Sequence, residues 1–94
     1  MWAESNRLTF RKVRKIIMQI LTEENPADLP EFILQSSSSV YSTEANAIYR
    51  YSCNNVQEGI SSEQVEQVIY DASRDPLDAN AVSRAAQRIV EALG

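Results

Sequence analysis

Apolar residues recur through most of the chain at spacings of three and four, the pattern of helices that each bury one face. Phe10, Val13, Ile16, Ile17, Ile20 and Leu21 fall within an arc of about 140° when projected at about 100° per residue. This stripe predicts helix 1 from Asn6 to Glu23, with all six residues in the core. Asn25-Pro26 stops it, because a residue before proline is pushed out of α geometry. Asp28, three residues ahead of Glu31, is placed to cap a short second helix bearing Leu29, Phe32, Ile33 and Leu34. Pro30 then occupies its first turn, where a missing N–H costs nothing. The serine run 36–39, with Val40 and Tyr41 after it, reads as a loop, since serine side chains compete for helical backbone bonds.

Ser42 or Thr43 is expected to cap helix 3, whose inner face carries Ala45, Ile48, Tyr49, Ser52 and Val56 until Gly59 ends it. Ser61-x-x-Gln64 has the form of a capping box, with Ile60 and Val65 placed as the hydrophobic staple around it. Val65, Val68, Ile69 and Ala72 continue as the buried stripe of helix 4 over residues 62–74. Asp75-Pro76 breaks that helix, and Asp78 caps helix 5 over residues 79–93, which turns Ala85, Ala86, Ile89, Val90 and Leu93 inward. Leu77 and Val82 repeat the staple. No segment alternates with period two, so the prediction is an all-α fold: a compact bundle of five or six short helices in a single helical domain over residues 1–94.

Composition narrows the chemistry. Histidine is absent, which excludes a Ser-His-Asp triad, a Cys-His pair and every histidine-bearing metal site. Only Gly59 and Gly94 are present, too few for a glycine-rich phosphate loop. Asp71-x-Ser73-x-Asp75 opens like a calcium loop, but Pro76 stands where glycine is required and Val82 where the last carboxylate belongs. Glu63 and Glu66 are expected on the outer face of helix 4 as solubilising residues, Cys53 as a partly buried small hydrophobe, and the four tyrosines as braces for the core. The expectation is therefore a protein that is not an enzyme, with no cofactor, no metal and no small-molecule substrate. No apolar run is long enough to cross a bilayer, the N-terminus lacks the order of a secretory signal, and the lone cysteine and missing glycosylation sequon suit a reducing compartment. These point to a cytoplasmic chain that does not enter a membrane.

Charge changes the picture most. Residues 1–15 hold Arg7, Arg11, Lys12, Arg14 and Lys15 against Glu4, a net of +4, while residues 16–94 hold four arginines against twelve acids, a net of −8. Within helix 1, Arg11 stands at contact spacing from Arg7, Arg14 and Lys15, and each such like-charge pair destabilises a helix by roughly 0.2–0.5 kcal/mol. Cations early in the helix and Glu23 and Glu24 at its end also oppose the helix dipole.

Three outlets exist for this basic face: the chain's own acids, the acidic surface of another protein or of another copy of this chain, and nucleic-acid phosphates. The favoured expectation is a small non-enzymatic protein–protein interaction or regulatory module whose contact residues are Arg7, Arg11, Arg14 and Lys15. The alternative is a helix-turn-helix-like nucleic-acid-binding regulator using helices 62–74 and 79–93, with Asn80, Arg84, Gln87 and Arg88 on the outer face of the second. Asp75 and Asp78 at the leading end of that helix, and an isoelectric point near 4.7, weigh against the alternative. In size, short helices and oppositely charged surfaces, the layout resembles the death-fold class of interaction modules, an analogy of architecture.

Overall fold

A computed structural model describes residues 6–36, 40–55 and 59–93 of the chain. Five helices are present among them, α1 (Asn6–Glu24), α2 (Glu31–Ser36), α3 (Ser42–Asn54), α4 (Ser62–Ala72) and α5 (Ala79–Leu93), and no strand. The all-α bundle expected from the apolar periodicity is therefore the fold, with five helices.

Four of the helices make the bundle. α1 packs against α3 and α5, and α4 packs against the same two, so α1 and α4 occupy diagonal positions. Their apolar faces meet in one cluster built from Ile17, Ile20 and Leu21 of α1, Ala45 and Ile48 of α3, Val65 and Ile69 of α4, and Val82, Ala85, Ala86 and Ile89 of α5. The alanines of α5 remove side-chain bulk between the helices, which lets neighbouring backbones approach closely. Ser52 is the buried polar side chain among these faces, and its hydroxyl donates to Ile48 O at 2.9 Å, so burial leaves it satisfied.

The α1 stripe is narrower than its arc of apolar residues. Ile17 and Leu21 are fully covered, whereas Phe10 and Ile16 stay more than a third exposed. Phe10 instead sets its ring edge-on to Tyr49 of α3, with centroids 4.7 Å apart.

Helix ends follow local chemistry where a side chain reaches its own backbone. Ser61 Oγ accepts from Gln64 N–H at 3.3 Å and Asp78 Oδ2 from Ala81 N–H at 3.1 Å, the two caps expected for α4 and α5. The second limb of the Ser61 box is rerouted: Tyr51 Oη accepts from Ser61 N–H at 3.2 Å and donates to Gln64 Oε1, so α3 is stitched to the start of α4. α4 ends at Ala72 rather than at residue 74, because Ser73 is extended and its hydroxyl accepts from Asp75 N–H at 3.3 Å.

Two other expected caps differ. Asp28 does not cap α2; it sits at φ 53°, and Pro30 lies before the helix, its carbonyl accepting from Ile33 and Leu34 N–H. Neither Ser42 nor Thr43 caps α3. Ser42 is already its first residue, and the position before it is Tyr41 at φ 65°, whose carbonyl accepts from Ala45 N–H at 2.9 Å. The serines at 37–39 and Val56, assigned above to a loop and to the face of α3, lie outside the described residues.

Tyr41 organises the end of the bundle where α1 turns back. Its hydroxyl donates to Asn25 Oδ1 at 2.7 Å and accepts from Ala27 N–H at 3.0 Å, while Asn25 brackets Leu29 with both atoms of its amide. Pro26, fully buried in the same turn, offers its carbonyl to Asp78 N–H at 2.8 Å and so joins this turn to the start of α5.

Candidate functional site

Cationic side chains at 11, 14 and 15 follow the i, i+3, i+4 spacing of one helix face, and Met18 continues the row at i+7. Arg14 and Met18 are half-buried at the margin of the core stripe, Arg11 and Lys15 are exposed beyond it, and the row meets Leu34 of α2 and Val40 ahead of α3. The result is an open groove of about 850 Å³. Phe10, Met18, Leu34 and Val40 supply apolar lining; Arg11, Arg14 and Lys15 supply positive charge. Glu23 lines the same groove.

Three of the four expected contact residues therefore converge on one concave surface. Arg11 and Lys15 are exposed, and Arg14 is half-buried with its Nε donating to Asn46 Oδ1 of α3 at 2.7 Å. That bond fixes the guanidinium in place without neutralising it. Arg7 belongs to α1, but its side chain lies outside the described residues. Lys12 is exposed but does not line the groove.

The ion pairs found among the described residues involve other cations. Arg84 Nε meets Glu24 Oε1 at 2.9 Å, and Arg88 spans Glu24 at 3.1 Å and Glu23 at 2.6 Å. None of Arg11, Lys12, Arg14 or Lys15 has a carboxylate at ion-pair distance among the described residues. The hydrogen bond from Arg84 holds the Glu24 carboxyl below its ordinary value, and that from Arg88 does the same for Glu23. Two acids that oppose the dipole of α1 are thus held by α5. Arg84 and Arg88, the guanidinium groups of the nucleic-acid alternative, are the ones so engaged, whereas Asn80 and Gln87 are exposed.

Other candidates from the sequence fall differently. Cys53 is exposed, not partly buried, because it lies beyond the edge of the covered face of α3. A hydrogen bond with that thiol pushes the Tyr49 hydroxyl above its ordinary value. Tyr41 braces the core as expected, but Tyr70 stands 41% exposed on α4. Among the described residues no group of three histidine, cysteine or carboxylate side chains is placed to hold a metal ion, and no helix is long and apolar enough to cross a membrane.

The groove itself does not follow from the periodicity, which places Phe10 in the core stripe. One signal was present: Met18 is a large apolar residue off the core stripe and in register with three cations. Comparisons with protein-family models, curated proteins and solved structures find no match to this chain.

Proposed function

We propose that this chain is a small non-enzymatic interaction module, regulatory or adaptor in kind and cytoplasmic, that binds an acidic protein surface through Arg7, Arg11, Arg14 and Lys15 of α1. One observation carries this reading: cations without a described carboxylate partner border a groove with an apolar lining. Such a surface suits a partner that presents apolar side chains flanked by acids, because burial of the former supplies affinity and charge complementarity speeds encounter and fixes orientation. The arginines of α5, by contrast, already have carboxylates at their guanidinium groups.

The test is a fluorescence-anisotropy titration of a synthetic acidic amphipathic helical peptide with the full chain at rising salt. The expected result is saturable binding that weakens with salt and is lost in Arg11→Glu combined with Lys15→Glu. Equal affinity in wild type and variant, or tighter binding to duplex DNA than to the peptide, would overturn the proposal.

A further inference from the structure

The row Arg11, Arg14, Lys15, Met18 on α1 has a counterpart of opposite charge on α4: Glu63, Glu66, Gln67, Tyr70, at the same i, i+3, i+4, i+7 spacing. Both rows read charge first and a large apolar side chain last. On α4 the buried side is Val65 and Ile69, so the row faces away from the core, with Glu63 exposed, Glu66 half-buried and Tyr70 41% exposed. Asp71 extends the acidic side and accepts from Gln67 Nε2 at 2.9 Å. Arg74, just past the helix, is the cation nearest in sequence to this row.

The two rows are kept from meeting within one molecule. α1 and α4 are diagonal in the bundle, each packed between α3 and α5, so the basic and acidic rows lie on helices with the core between them. The segregation of charge along the sequence becomes a segregation across the fold. A second molecule has no such constraint.

We propose that the occupant of the α1 groove is the α4 face of another copy of this chain, giving head-to-tail self-association. Aligned in parallel and in register, Glu63 and Glu66 approach Arg11, Arg14 and Lys15, while Tyr70 lies over Met18 and the apolar lining supplied by Leu34 and Val40. Tyrosine suits this place because it brings a large apolar ring at low entropic cost together with a polar tip. The contact joins two different surfaces, so it is heterologous, and repetition closes a ring or extends a filament. This inference rests on the reading of α1 as the contact face and specifies the partner.

Sedimentation velocity of the full chain over a concentration series tests it. Wild type should gain mass with concentration at about 0.05 M salt and lose most of that gain at about 0.5 M, where charge is screened within a few ångströms. Arg11→Glu with Lys15→Glu, and separately Glu63→Lys with Glu66→Lys, should each weaken self-association by about tenfold or more, as should Tyr70→Ser. The decisive sample is the equimolar mixture of the two charge-reversed variants, adjusted so that each is monomeric alone. It brings together one intact groove and one intact α4 face, and sets the two reversed faces against each other with complementary charge, so association should return. That result also establishes that both variants are folded.

A wild type that stays monomeric throughout, or a mixture in which association does not return, overturns self-docking. If the acidic helical peptide still binds wild type and not Arg11→Glu with Lys15→Glu, the contact face on α1 stands and only its occupant was wrong. Self-association that persists in both charge-reversed variants overturns the inference, and peptide binding that also persists there overturns the reading of α1.

Discussion

The Tyr41 hydroxyl donates to Asn25 Oδ1 at 2.7 Å, and the two residues share a second property: both have left-handed backbones, at φ 65° and 48°. Asparagine takes that conformation readily, and here it ends α1 with its N–H donating to Leu21 O at 2.7 Å. Tyrosine does not, and holding it there costs roughly 1–2 kcal/mol. Burial of the ring and the two hydrogen bonds of its hydroxyl offset that strain. Tyr41→Phe keeps the strain and the ring but orphans Ala27 N–H, so it should lower the unfolding free energy by about 1–3 kcal/mol in urea titration. Asn25→Ala should destabilise further, and the double variant should cost less than the two single changes summed, because they remove the same bond. A Tyr41→Phe change within about 0.5 kcal/mol of wild type would show that the hydroxyl contributes no net stability.

Acid should weaken the fold through Glu24. Its carboxyl, hydrogen-bonded by Arg84 and by Arg88, is held below its ordinary value of 4.5. A carboxyl lowered in the folded state contributes stability that is fully present above its unfolded value and is lost as pH falls through the folded one. Melting temperature should therefore be level just above pH 4.5 as far as this group is concerned and decline below it, with a shallower decline in Glu24→Gln. The arginines are about half exposed, so solvent screens the pairs and salt should shrink the difference between wild type and variant. An identical acid limb in the two proteins would count against this role.

Ser61→Ala and Asp78→Ala should each cost about 0.5–2 kcal/mol by denaturant unfolding, through loss of a capping bond. These caps were legible in the sequence because donor and acceptor stand three residues apart, as did the apolar faces of α4 and α5. What the sequence hid depends on distant pairs. Arg84 and Glu24 are separated by 60 positions, and nothing local to either announces the other. Tyr51 takes over the second limb of the Ser61 box from ten residues upstream, and Tyr41 sets the start of α3 against its own backbone preference. The groove is hidden for a related reason: periodicity reveals which face of a helix is apolar, not whether a neighbour covers all of it, and Phe10 and Ile16 of that face are exposed.

Core truncation should separate α5 from the rim of the bundle. Ile89 is fully buried in the central cluster, and Ile89→Ala should cost about 2–5 kcal/mol. Val68, only partly buried against that cluster, should lose less on the same truncation. Thermal or urea unfolding of the two variants reads the order directly; an equal or reversed order would place Val68 as deep in the core as Ile89.

Reversing one charge on α1 separates stability from binding. Arg11 is exposed, has no carboxylate at ion-pair distance among the described residues, and stands at helical contact spacing from Arg7, Arg14 and Lys15. Arg11→Glu converts three repulsive spacings into attractive ones, each worth roughly 0.2–0.5 kcal/mol, so the unfolding free energy should stay level or rise by up to about 1 kcal/mol. Binding should move the other way. A glutamate in the groove faces the partner's acids, which should slow association and reduce the salt dependence of the affinity for an acidic helical peptide. If Arg11 instead served to neutralise this chain's own acids, the same substitution would lower stability, and peptide affinity would change only as far as folding did. Urea unfolding and a stopped-flow association rate on this one variant distinguish the two roles, because lost stability and lost encounter rate are separate readouts of a single charge.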